Sequence, residues 1–210
     1  MSLDEQPIEI ATDRGTVEAR FTPPAPDAAP SDRAVLMVGG GDGGFDGPAE
    51  ALYPALAEDF AAQGIATLRL DFRLHRFPND VAQGAHDIAA GRAWLTERAL
   101  SRIVLIGHSF GGAVVIEAGR QSSFVVGVVT LATQTAGAEG VGLLAPRALL
   151  LIHGRADTRL SPVLSQMLYD AAGDPKELVL IEGATHSLRQ AREEVRERVL
   201  TWTVATLNAR

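Results

Sequence analysis

The sequence predicts an α/β fold, a mainly parallel sheet covered on both faces by helices and entered through an antiparallel hairpin. Three observations predict it. After residue 33, short apolar runs alternate with helical patterns at least five times, the order that builds a parallel sheet from crossover connections. The run Ile103–Ile106 is apolar at every position rather than every second one, as a strand buried on both faces must be. The 210 residues, 46% hydrophobic and 21% charged, suit one domain with a substantial core, taken as residues 1–210.

In order, Ile8–Ala11 and Thr16–Phe21 read as two strands, and Thr12-Asp13-Arg14-Gly15 between them has the turn chemistry of a hairpin. The proline-rich Thr22–Asp32 is a surface connection. Ala34–Val38 is a strand, Gly39–Gly47 a glycine loop, and a helix begins near Pro48–Pro54 and runs to Gln63 with Leu52, Leu56 and Phe60 on one face. Gly64 is placed to end that helix. Ile65–Leu70 is a strand. Val81–Leu100 is a helix with Val81, Ile88 and Leu95 at heptad spacing. Ala113–Gly119 is the helix that follows Ile103–Ile106. Val125–Ala132, Ala148–His153 and Leu178–Ile181 are further strands, with a helix at Pro162–Ala172. A final helix over Leu188–Leu207 buries Leu188, Val195, Val199 and Trp202.

Composition excludes several function classes. With no cysteine, there are no disulfides, thiolate metal sites or cysteine nucleophiles. The same absence fits a cytoplasmic protein, which is the expected location. A net charge of −7 argues against nucleic-acid binding, which needs a basic surface. No apolar run reaches the length of a membrane span. No cofactor and no metal are expected.

The chemistry centres on Gly107-His108-Ser109-Phe110-Gly111. This G-x-S-x-G pattern sets a serine on a sharp turn between a buried strand and a helix. The flanking glycines remove side chains that would collide with neighbouring backbone. A serine hydroxyl needs a base, and the base needs an orienting partner. Reactive groups in a parallel α/β sheet gather at the carboxyl ends of the strands. Of His75, His86, His108, His153 and His186, the last follows the last strand in Gly183-Ala184-Thr185-His186 and is the candidate base. His86 reads as a surface residue, His108 as pointing away from the hydroxyl, and His153 as a structural loop residue. Thr133–Ala138 contains no carboxylate, whereas Gly154-Arg155-Ala156-Asp157 supplies one. The candidate triad is therefore Ser109, Asp157, His186, in the chain order expected for this elbow.

These three matches, in register at three strand ends, make the chain similar to the α/β-hydrolase fold from about residue 33 to its end. The resemblance is to small members without a cap domain, such as dienelactone-hydrolase-like enzymes and carboxylesterases. Only about fifteen residues separate the strands at Ala132 and Ala148, where family members with a cap usually insert it. The resemblance implies an oxyanion hole from the backbone N–H groups of Phe110 and, in the glycine loop, Gly41. Many members have His-Gly where this chain has Gly39-Gly40. It further implies acyl transfer from a small or soluble ester substrate, the expected partner. The Phe110 ring and Phe45 are expected to line the acyl side. Arg73, with His75 and Arg76, is a candidate rim for acidic substrates.

Two other readings compete. Gly39, Gly41 and Gly44 spell G-x-G-x-x-G, with Asp71 ending the next strand, which imitates a dinucleotide fingerprint. Here Phe45-Asp46-Gly47-Pro48 delays the helix that the fingerprint needs. The other is a non-catalytic small-molecule binding protein on the same scaffold.

Overall fold

A computed structural model describes residues 5–29, 31–75 and 80–209. Arg76, one of the rim candidates, lies outside them. The strands are β1 (Gln6–Thr12), β2 (Gly15–Thr22), β3 (Arg33–Val38), β4 (Ala66–Leu70), β5 (Arg102–His108), β6 (Val125–Leu131), β7 (Ala148–Gly154) and β8 (Lys176–Ile181). They form one sheet in the order β1-β2-β4-β3-β5-β6-β7-β8. β2 pairs antiparallel with both β1 and β4, and every other pairing is parallel. The helices are α1 (Pro48–Ala62), α2 (Val81–Thr96), α3 (Phe110–Arg120), α4 (Val163–Ala171) and α5 (Arg192–Asn208).

The uninterrupted apolar strands have the expected cause. In β3, Leu36 and Val38 face one core and Val35 and Met37 the other, all with no exposure. The period of two inside a run without polar breaks means that both faces are covered. One core is closed by α2, α3 and α4 through Ile88, Val114, Val115 and Leu168. The other is closed by α1 and α5 through Leu52, Leu56, Phe60, Val195 and Val199. Arg196 of α5 donates a bidentate pair to Asp59 of α1, at 2.7 and 2.8 Å, and holds the two helices together.

Several boundaries differ from expectation. α2 ends at Thr96, not Leu100, because Ala99 turns the chain with φ of 62°. α3 begins at Phe110, three residues before Ala113. The helix at Leu188 is broken: Leu188 is left-handed (φ 56°), a 3₁₀ turn covers Arg189–Ala191, and α5 starts at Arg192. α1 begins at Pro48, within the expected Pro48–Pro54, but Ala49, Glu50 and Ala51 are left-handed, with φ of 53, 55 and 65°. This reversed turn is tied to the segment that carries His186: Ala49 N–H donates to the Ser187 carbonyl at 2.8 Å, and Arg192 Nε donates to the Ala49 carbonyl at 3.0 Å.

Strand order and register place the site. β3 lies between β4 and β5, so the connections leave in opposite directions there, and the crevice at the carboxyl ends opens beside it. Val38 pairs with Gly107, which brings Gly39–Gly41 alongside His108 and Ser109. Gly154 pairs with Ile181, so the loops after β7 and β8 leave the sheet together. The β6–β7 connection holds a short 3₁₀ helix, Glu139–Leu143, as its regular element.

Candidate active site

Ser109 sits between β5 and α3 with φ 54° and ψ −117°. For a residue with a Cβ this is a sparsely populated conformation, costing about 1–3 kcal/mol and kept only where the surroundings enforce it. They do so here. A Cβ on Gly107 would run into the Gly111 carbonyl, and one on Gly111 into the Gly39 carbonyl. Ser109 N–H donates to the Leu131 carbonyl at 2.8 Å, which ties the turn to β6.

The three predicted side chains converge. The Ser109 hydroxyl lies 3.0 Å from His186 Nε2, and His186 Nδ1 lies 2.7 Å from Asp157 Oδ2. Asp157 is buried, and its Oδ1 accepts the N–H groups of Arg159 and Leu160 at 2.8 and 2.9 Å. Burial pushes its carboxyl upward. The donors from Leu160, His186 and Arg159 outweigh that, and the net position is below the usual carboxylate range. An ionised carboxylate can only accept, so His186 Nδ1 carries the proton and donates it to Asp157. His186 Nε2 is then a free lone pair facing the serine hydroxyl.

Two further imidazoles stand behind this trio, contrary to the sequence reading. His108 does not point away from the site. Its ring centroid is 5.0 Å from that of His186, and its Nε2 donates to the His186 carbonyl at 3.1 Å. Burial pushes the His108 ring down to about 4, against the opposing pull of that carbonyl. His153 is not a loop residue. It lies within β7 with no exposure, and its Nε2 is 3.1 Å from Asp157 Oδ2. Burial lowers its pKa as well, despite bonds to the Leu160 carbonyl and Asp157. His86 is partly buried, 3.0 Å from Asp13, rather than a free surface residue.

A cavity of about 440 Å³ opens over the serine. Gly40, Gly41, Ser109, Phe110 and His186 line it, together with Asp42, His75, His108, Gln134, Arg159 and Leu160. Phe110 opens α3, where first-turn N–H groups have no intrahelical acceptor. Its ring, however, turns into the core, edge-on to Phe72 at 5.5 Å. Phe45 is not in the cavity wall, and its ring lies 5.2 Å beneath the Arg20 guanidinium.

The expected rim fails at Arg73. Its Nε pairs with buried Asp87 at 2.6 Å and its backbone N–H with the same carboxylate at 3.0 Å, while its other nitrogens reach the Arg14 carbonyl and Gln83. That side chain is spent inside the protein. His75 does reach the cavity but is bonded to Asp71 at 2.9 Å. The dinucleotide imitation also has another use: Asp71 Oδ1 accepts the Gly44 N–H at 2.7 Å and braces the glycine loop. The cationic group that lines the cavity is Arg159, which is exposed and makes no ion pair among the described residues.

Comparison with known proteins agrees with this fold. The model of the Alpha/beta hydrolase family matches residues 34–182, well over half of the chain. The chain belongs to the alpha/beta hydrolase family. No curated protein matches the sequence. Among solved structures, this hydrolase is similar to Est1E from Butyrivibrio proteoclasticus, with TM-score 0.82 and 18% identity over 97% of this chain and 99% of that one. It is similar to a dienelactone hydrolase from Anabaena variabilis, with TM-score 0.78 and 19% identity over 96% and 99% of the two chains. It is also similar to a serine hydrolase from Xanthomonas campestris described as without a lid, with TM-score 0.73 and 18% identity over 98% and 96%. At such identities the likeness is one of fold. Among the described residues, no helix of this hydrolase is long and apolar enough to cross a membrane.

Proposed function

We propose that this alpha/beta hydrolase cleaves carboxylic esters of small substrates through an acyl-enzyme on Ser109. The observation that carries the reading is the pair of contacts at His186, 3.0 Å to the Ser109 hydroxyl and 2.7 Å to Asp157. Ser109 Oγ attacks the ester carbonyl as its proton passes to His186 Nε2. Asp157 keeps the imidazole in the required tautomer and stabilises the imidazolium that forms. The backbone N–H groups of Phe110 and Gly41, both at the cavity wall, receive the developing oxyanion. His186 then returns the proton to the departing alkoxide, and water releases the acyl group by the reverse route.

The polar wall supports a small, polar substrate rather than a long aliphatic one. Around the serine it offers Asp42, His75, Gln134 and Arg159, with little beyond Leu160 to hold an acyl chain. A serine-directed fluorophosphonate tests the reading against a non-catalytic binding protein. Labelling of the wild type, lost in Ser109→Ala and His186→Ala, is the expected result. A folded wild type that stays unlabelled and hydrolyses no ester in a panel of neutral and acidic short-chain esters would overturn it.

A further inference from the structure

The catalytic carboxylate proposed above is shared by two imidazoles, and only one of them touches the serine. His153 Nε2 lies 3.1 Å from Asp157 Oδ2, the same oxygen that receives His186 Nδ1 at 2.7 Å. It also lies 3.0 Å from the Leu160 carbonyl. A backbone carbonyl and an ionised carboxylate can only accept, so Nε2 must carry the hydrogen and donate. The ring is buried without exposure and neutral, which leaves Nδ1 as a lone pair. Fully buried Ser165 of α4 meets it, with its hydroxyl 2.7 Å away and donating. The two acceptors at Nε2 thus set the tautomer of His153, and the Ser165 hydroxyl rotates to match it.

We propose that His153 is a positioning residue: by donating from Nε2 to Asp157 Oδ2 it fixes the plane of the carboxylate that orients His186. This rests on the Ser109, His186, Asp157 reading above. The physical need is clear from the other oxygen. Oδ1 is held by the N–H groups of Arg159 and Leu160, both in the same short loop as Asp157 itself. Loop donors move with the residue they hold. His153 instead belongs to β7 and is braced by α4, so it refers the carboxylate to the rigid part of the fold. The donor relay then runs Ser165 to His153 to Asp157 from the core, and Ser109 to His186 to Asp157 from the cavity. A histidine that only filled the core would also need a partner at each nitrogen, and Ser165 and the Leu160 carbonyl already supply both; the added contact from Nε2 to Asp157 Oδ2 is what ties the ring to the carboxylate.

The test compares wild type, His153→Gln, His153→Leu and Ser165→Ala. Fluorophosphonate labelling rate, steady-state kinetics on p-nitrophenyl acetate, thermal melting and the low-field proton NMR signal of the His186–Asp157 hydrogen bond are the readouts. Losing a hydrogen bond to a charged group predicts a fall in kcat and in labelling rate of about ten- to a hundredfold in His153→Leu. KM should stay within about threefold, because substrate binding is untouched. The low-field signal should move or disappear. His153→Gln, whose amide can donate from nearly the same place, should recover most of the rate and the signal. His153→Leu that folds and keeps wild-type labelling rate and signal overturns the proposal. If His153→Leu does not fold, Ser165→Ala decides, since it removes one oxygen from a filled core. A fall in kcat with a shifted low-field signal supports the proposal, and unchanged kcat and signal overturn it. A wild type that is never labelled removes the triad reading, and this inference with it. A labelled wild type that is indifferent to His153 and Ser165 removes this inference alone.

Discussion

His108 makes the structure testable without any substrate. Its ring sits against the His186 loop, donates to the His186 carbonyl at 3.1 Å, and has its pKa pushed by burial from 6.5 to about 4. Between those two values the unfolded chain binds a proton that the folded chain does not. Stability therefore falls as pH falls, starting near 6.5 and complete at about 4. The full difference corresponds to at most about 3 kcal/mol at ~1.4 kcal/mol per pKa unit. The ring borders the open cavity, where water screens part of the cost, so about 2 kcal/mol is the working figure between pH 7 and pH 4.5. Asp157 does not interfere. Its pKa is depressed below 3.8, so the stability it contributes is still present throughout that window and is lost only at lower pH. The perturbation is His108→Gln, which retains a donor for the His186 carbonyl and cannot titrate. Urea unfolding of both proteins at pH 7 and pH 4.5 measures the effect. At pH 7 the two should differ little. At pH 4.5 the wild type should have lost about 2 kcal/mol more than the variant. Parallel losses would refute the reasoning, because His108 would then bear no cost for its charge in the folded state.

Three other outcomes follow from the same geometry. Gly107→Ala would drive a Cβ into the Gly111 carbonyl, a backbone atom that cannot swing aside. Urea unfolding should show a loss of about 1–3 kcal/mol, with slower labelling of Ser109 as the elbow distorts. Asp157→Asn replaces the acceptor that sets the His186 tautomer, and kcat on an activated ester should fall by about 10⁴ with KM little changed. Arg159→Ala removes the exposed cation at the cavity. KM should rise for esters bearing a free carboxylate and stay level for neutral ones, and an equal change in both would exclude an anion-binding role.

What could be read from the sequence, and what could not, divides along a physical line. The sheet was legible because its two periodic signals are local: apolar runs the length of a strand, and helices with large residues four apart. The convergence of Ser109, Asp157 and His186 was also legible, though 77 residues separate the first and last. Parallel connection puts the carboxyl ends of β3 to β8 at one rim, and the glycines at positions 107 and 111 mark a turn tight enough to lift a hydroxyl there. The polar contacts were not legible, because they depend on which side chains face each other once the helices dock. Arg73 looked like a free cation because Asp87, its partner, is one turn and a half into α2 and faces inward only after that helix packs. Phe45 looked like an acyl contact, yet the loop turns it beneath Arg20, from the hairpin. His108 and His153 were misread for the same reason. A histidine beside a nucleophile or four residues before an acid carries no sign of where its ring points. In this fold both rings turn toward the cluster of Ser109, His186 and Asp157, one onto the backbone of His186 and one onto the Asp157 carboxylate. His186 and Asp157 both lie on loops, and each is referred by an imidazole to a strand of the sheet, His108 at the end of β5 and His153 in β7, which holds His186 near 3 Å from both Asp157 and Ser109.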